Sequence, residues 1–184
     1  MDIISFKNKK DLIEQYSYSH RSYHDLSHIT SMFEVATMHG LTLTDIQRLA
    51  IWYHDVVYFP TKKNNELASV DYFRLMNNDL ANHIKEKVTT MILASALHKS
   101  NDEETQIFLD LDLHILGDDL DTYLDASTKI REEYHHLSNE RWKIGRSRFL
   151  KEMLSRSFIF NTRLFRDCYE DQARFNITYE MNNL

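Results

Sequence analysis

Apolar residues recur along this chain at three- and four-residue spacing, not in alternation, which is the pattern of helices that bury one face. Residues 44–58 show it best. Thr44-Asp45-Ile46-Gln47 fits a capping box, with Thr44 as N-cap and Gln47 at the third helical position. Ile46, Leu49, Ala50, Tyr53 and Val57 then share one face, and Pro60 closes the segment. The same spacing predicts helices over 65–77, 119–136, 139–156 and 162–183, and over 80–98, where Ile84, Val88, Met91 and Ser95 form a seam that His98 continues. Residues 105–116, TQIFLDLDLHIL, are strongly apolar but interrupted by two aspartates. No strand pattern and no sustained heptad is visible. The expected fold is an all-α, single-domain helical bundle over residues 1–184, with 1–15 as an N-terminal arm or helix.

Composition agrees with that picture and narrows the function. The chain has 184 residues, room for one domain with a core, and its 3 Gly and 1 Pro suit helices joined by short polar loops. A net charge of −6 argues against nucleic acid as a partner, although a local basic pocket could still bind one phosphate. Cys168 is the only cysteine, so neither an intrachain disulfide nor a cysteine zinc site is expected, which fits a reducing, cytoplasmic setting. The first residues, MDIISFKNKKDLIEQY, lack the apolar stretch of a signal peptide. No apolar run reaches the length of about 18 residues that a membrane span needs, so no membrane association is expected. A homodimer is compatible with these features.

Several polar residues sit where an apolar one would be ordinary. His20, His24 and His28 recur every fourth residue in SHRSYHDLSHIT, which on a helix would put them on one face. His54 and Asp55 interrupt the apolar AIWYHDVVY. A carboxylate there is costly unless paired or metal-bound, and imidazole with carboxylate suits Zn, Mn, Fe, Co or Ni. His98 ends an apolar seam, and Asp110 and Asp112 lie within FLDLDLHIL. Each has an ordinary alternative. His98 could cap a helix C-terminus, either aspartate could be an N-cap, His28 could be a satisfied core histidine, and Asp55 could be solvated. Together they are harder to set aside.

Taken in order, these residues resemble the HD-domain superfamily of metal-dependent phosphohydrolases, whose signature is an early His, a consecutive His-Asp pair and a distant Asp within a helical bundle. The finer similarity is to an uncharacterised bacterial subgroup with HRxYHxxxH, HDxxY, NExxS, LDxDLxILG and IRxEY motifs. Here these stand at His20–His28, His54–Tyr58, Asn65–Ser69, Leu109–Gly117 and Ile130–Tyr134, and the resemblance runs from about residue 15 to the C-terminus. It implies His28, His54, Asp55 and Asp112 as metal ligands. Asp110 would then be a supporting residue, and His98 a further ligand or support. The stretch YHDLSH also resembles the YHNxxH of cyclic-nucleotide phosphodiesterases, which implies His24 as general acid and His28 as ligand. Dinuclear relatives carry more histidines, one of them in an HExxS-like motif, where this chain has Asn65. One tightly held divalent ion (Mn, Fe, Co, Ni, Zn or Mg) is therefore expected.

The implied activity is hydrolysis of a small phosphorylated metabolite, a nucleotide first, by water activated on the metal. Glu66 is a candidate for orienting that water, or simply a first-turn acid favoured by the helix dipole. Arg21 and Arg131 are candidates to grip phosphate through a forked guanidinium; Arg146 reads rather as a surface or structural arginine. Tyr23, Tyr58 and Tyr134, with Trp52 and Tyr53, could stack on a base or belong to the core. The alternative expectation is a non-catalytic sensor that binds nucleotide and metal without turnover.

Overall fold

A computed structural model describes residues 6–184, with side chains from Lys9 onward. Residues 1–5 of the expected N-terminal arm lie outside the described residues. Among the described residues the protein is all-helical, with nine α-helices, one 3₁₀ turn and no strand. None of these helices is long and apolar enough to cross a membrane. The chain divides after Asp112 into two compact units.

The first unit holds α1 (Phe6–Tyr16), α2 (Leu26–Met38), α3 (Asp45–Tyr53), α4 (Asn65–Met76), α5 (Asn82–Ser95) and α6 (Glu103–Leu113). Helix α3 packs on α2, α4 and α5, and α4 packs on α5. The buried side chains are those the helical spacing selects, among them Leu49, Ala50, Tyr53, Val88 and Met91. The expected capping box is present: Thr44 Oγ1 accepts from Gln47 N at 3.2 Å, and Gln47 Oε1 accepts from Thr44 N at 2.9 Å.

Three helix boundaries differ from expectation, and each difference bears on the site. Helix α2 begins late because the Asp25 carboxylate accepts from Ser27 N at 2.8 Å and caps it. Only His28 is therefore helical; His20 and His24 lie in the turns before it, and the three do not share a helical face. Helix α3 stops at Tyr53, so His54 is its C-cap and Asp55 lies beyond it. Helix α5 stops at Ser95, and the N–H groups of Leu97 and His98 both return to Ala94 O, at 3.2 and 2.9 Å.

The second unit holds the 3₁₀ turn His114–Gly117, α7 (Leu120–Glu133), α8 (Asn139–Ser155) and α9 (Arg163–Asn183). Side-chain N-caps Asp119, Ser138 and Thr162 start the three helices. The 3₁₀ turn lies against α9 so closely that a Cβ on Gly117 would meet Tyr169 Cβ and its carbonyl oxygen at 2.6 Å. Asn176 Nδ2 secures the same turn by donating to Leu116 O at 3.0 Å and Asp118 O at 2.7 Å.

Glu180 on α9 ties the other two helices together. Its carboxylate accepts from Arg146 Nε at 2.8 Å and Nη2 at 3.0 Å, from Ser127 Oγ at 2.7 Å, and from the Tyr123 hydroxyl. Arg146 is thus a buried structural residue. Burial pushes the Glu180 carboxyl up, but the bonds from Arg146 outweigh it and hold the group below its ordinary range.

Candidate metal centre

Four segments of the first unit bring polar side chains to one point. His28 comes from the first turn of α2, His54 and Asp55 from the end of α3, His98 from just past α5, and Asp112 from α6. Asp112 is the hub. Its Oδ1 lies 3.1 Å from His28 Nε2 and 3.4 Å from His54 Nε2, and its Oδ2 lies 3.1 Å from His98 Nε2. Asp55 Oδ2 lies 3.2 Å from His54 Nε2, and the Nε2 atoms of His28 and His54 are 3.4 Å apart. Asp110, two positions earlier, projects about 200° around the same helix and is fully buried. Of the two aspartates, Asp112 is the one that faces the histidines.

Local structure fixes how His54 presents itself. Its Nδ1 lies 3.0 Å from Ile51 O in the last turn of its own helix. A carbonyl only accepts, so Nδ1 carries a proton, and a neutral ring would aim the lone pair of Nε2 into the cluster. That lone pair would face two carboxylate oxygens, an arrangement that requires positive charge among these atoms. A proton on Nε2 supplies it, and so does a divalent cation. In the metal-free protein the proton does so. Burial alone would lower the His54 pKa, but the carboxylates of Asp55 and Asp112 outweigh it and raise it well above 6.5. For Asp55 and Asp112 burial acts upward, yet the charge of His54 holds both below the ordinary carboxylate range.

The donor chemistry fits a metal. His28, His54 and Asp55 each offer a ligand atom, all within 4.8 Å of one another, so this group can hold an ion. Two imidazole nitrogens with carboxylate oxygens suit first-row divalent ions, and the hydrogen bond from His54 Nδ1 is the support that metal-bound histidines ordinarily have. No family model, curated protein or solved structure matches this chain. Its chemistry is therefore read from its own residues.

Beyond Asp55 the backbone bond from Val56 N to Tyr53 O at 3.3 Å ends the helical turn, and side chains hold the loop that follows. Arg21 Nη1 donates to Asp55 O at 2.8 Å, and Nη2 donates to Val56 O at 2.9 Å. Ser69 Oγ accepts from Val57 N at 3.1 Å and donates to Val57 O at 3.2 Å. His20 Nε2 donates to Tyr58 O at 2.9 Å. Asn65 accepts from Phe59 N and donates to Phe59 O, both at 3.1 Å. Five consecutive residues are thus held by four side chains from two motifs. Asn65, at the position where the HExxS-like motif of the resembled dinuclear enzymes has histidine, braces this loop.

The Arg21 guanidinium is buried, its Nη1 also donates to His24 O at 2.8 Å, and it lies over the rings of Tyr16 and Tyr58. It joins the turn that carries His24 to the turn that carries Asp55. Sequence reasoning missed this, along with the part played by Tyr16, because backbone carbonyls leave no mark in a sequence. Arg21→Lys is expected to cost about 1.5–3 kcal/mol, the loss of charged hydrogen bonds that one ammonium cannot reproduce. Chemical denaturation of the metal-free protein measures it, and a wild-type midpoint would contradict this reading of Arg21.

His24 stands beside the cluster, stacked on Tyr58 at 4.1 Å, edge-on to Tyr23 at 4.9 Å, with its ring centroid 6.0 Å from that of His28. When protonated, it helps lower the Asp55 pKa. Glu66 is half-buried in the first turn of α4 and makes no polar contact to the cluster among the described residues. Arg131 and Tyr134 belong to the second unit. There Arg131 donates to Tyr134 O at 2.8 Å, Leu137 O at 3.1 Å and Asn139 Oδ1 at 2.9 Å, which joins α7 to α8. Tyr134 is the C-cap of α7 and packs on Trp142 at 5.4 Å.

Proposed function

We propose that this chain is a metal-dependent phosphohydrolase of the HD type, acting on a small phosphorylated metabolite, with a nucleotide as the first candidate. The observation that carries the reading is the placement of His54: its Nδ1 is tied to Ile51 O, and its Nε2 is aimed at the carboxylates of Asp55 and Asp112. His28, His54, Asp55 and Asp112 would hold the ion. When bound, a divalent ion supplies Lewis acidity toward a phosphoryl oxygen and a water activated at neutral pH. His24, adjacent to the cluster but outside its closest contacts, is the residue to hand a proton to the leaving oxygen. The rings of Tyr23 and Tyr58 hold the His24 ring, and with it form the aromatic surface for a base.

A sensor that binds without turnover is the second reading. It is favoured by Arg21 being committed to carbonyls and by Glu66 standing apart from the cluster. One experiment separates the two. Metal content is measured on purified protein, then phosphate release from nucleoside mono-, di- and triphosphates and cyclic nucleotides with Mn²⁺, Co²⁺, Zn²⁺ and Mg²⁺, with His54→Ala and Asp55→Ala as controls. Turnover that both variants abolish is the expected result. Metal binding without turnover on any substrate would select the sensor, and absence of metal would overturn both readings.

A further inference from the structure

His98 is the one described non-glycine residue with a left-handed backbone, at φ 49°. Its N–H closes the C-terminus of α5 on Ala94 O at 2.9 Å. That position after a helix ordinarily takes glycine, because a β-carbon is disfavoured there. A histidine held in this conformation calls for a reason in its side chain, and its contacts supply one. Nε2 lies 3.1 Å from Asp112 Oδ2, whereas both contacts of that carboxylate to His28 and His54 are made by Oδ1. The imidazole has a side-chain exposure of 18 %, against 2 % for His28 and 1 % for His54, so it approaches Asp112 from a more open side.

We infer that His98 is a positioning residue: by donating to Oδ2 it fixes the Asp112 carboxylate so that Oδ1 alone is offered to a metal. This rests on the metal reading of the site. It assigns the left-handed turn after α5 to the orientation of a carboxylate on α6, and it makes His98 a support, not a ligand. A carboxylate limited to one oxygen suits ions that take imidazole and few ligands, and disfavours Ca²⁺, which commonly takes both oxygens of a carboxylate.

The test titrates the metal-free full chain with Co²⁺, followed by visible absorption and by calorimetry, with thermal unfolding of each metal-free protein alongside. His98→Gly removes the imidazole from a backbone that glycine adopts freely. His98→Gln keeps an N–H donor at similar reach. His98→Asn tolerates the left-handed backbone with a shorter side chain, and stands in if the glycine variant does not fold. The glycine variant is expected to bind Co²⁺ roughly 10–100-fold more weakly, the range for losing a residue that orients a ligand. Its Co²⁺ bands should shift, and His98→Gln should recover most of both effects. Wild-type affinity and bands in the glycine or asparagine variant would overturn the inference, and so would a glutamine variant as weak as glycine, since the ring itself would then be required. Absence of Co²⁺ bands in the wild type would remove the metal reading and this inference with it, a result distinct from an unaffected variant.

Discussion

Asp112→Ala is expected to weaken divalent-metal binding by roughly a hundred-fold or more, at least the largest loss seen for residues that merely support a ligand. Asp112 touches His28, His54 and His98 at once, so its removal takes away a carboxylate and leaves three imidazoles without their common acceptor. Calorimetry with Mn²⁺ or Zn²⁺ measures the change, and binding within a few-fold of wild type would mean that the ion sits elsewhere. The pH dependence follows from His54, whose pKa in the metal-free protein is raised well above 6.5 by Asp55 and Asp112 despite its burial. An ion must displace that proton. Affinity therefore falls as pH drops, and binding releases a proton that calorimetry in buffers of different ionisation enthalpy can count.

The same shifts set the stability of the metal-free protein. His54 has a raised folded value, so its contribution is fully present below about 6.5 and is lost as pH rises through the raised value. Asp55 and Asp112 have depressed values, so theirs is present above about 3.8 and is lost as pH falls toward those depressed values. Thermal unfolding in chelator is expected to weaken at both ends of the pH range, and added metal to restore the alkaline end.

Glu180→Ala is expected to destabilise the protein by about 3–5 kcal/mol, the range for removing one partner of a buried ion pair. The cost comes from what stays behind. Arg146 keeps its charge in a buried position, and the hydroxyls of Tyr123 and Ser127 lose their acceptor. Replacing Arg146 and Glu180 together by leucine should recover much of the loss, because no charge is then stranded. Urea unfolding measures both variants. A single-variant loss under about 1 kcal/mol, the scale of an exposed ion pair, would refute the tight network. Glu180 has a lowered pKa, so its contribution is present above about 4.5 and is lost as pH falls.

What the sequence discloses follows from where each residue finds its partner. The capping box of α3 is legible because Thr44 and Gln47 lie three residues apart. Helices α4, α5, α7, α8 and α9 are legible because their buried faces follow the helical period. His54, Asp55 and Asp112 stand out as polar groups amid apolar neighbours, which is how the cluster could be anticipated. The approach of Asp112 to within 3.4 Å of His54 Nε2, which itself lies 3.2 Å from Asp55, comes from tertiary structure. The even spacing of His20, His24 and His28 suggests a helix, but the Asp25 cap starts α2 after the second of them. Arg21 looks like a free cation because its acceptors are carbonyls 34 and 35 residues away. Glu180 and Arg146 hide in the same way, 34 residues apart on different helices.

The braced loop from Asp55 to Phe59 has a bearing on how mutational data for this protein would be interpreted. His20, Arg21, Asn65 and Ser69 reach that loop through its main chain, so the side chains of half-buried Val57 and exposed Phe59 are left with little to specify, whereas Val56 is fully buried in the core. A saturation library should then show an inverted map: permissive at Val57 and Phe59 beside the cluster, and intolerant at the four residues that brace them, as at buried Val56. Scored on turnover alone, those four would be counted as chemistry, although what each one holds is a peptide group.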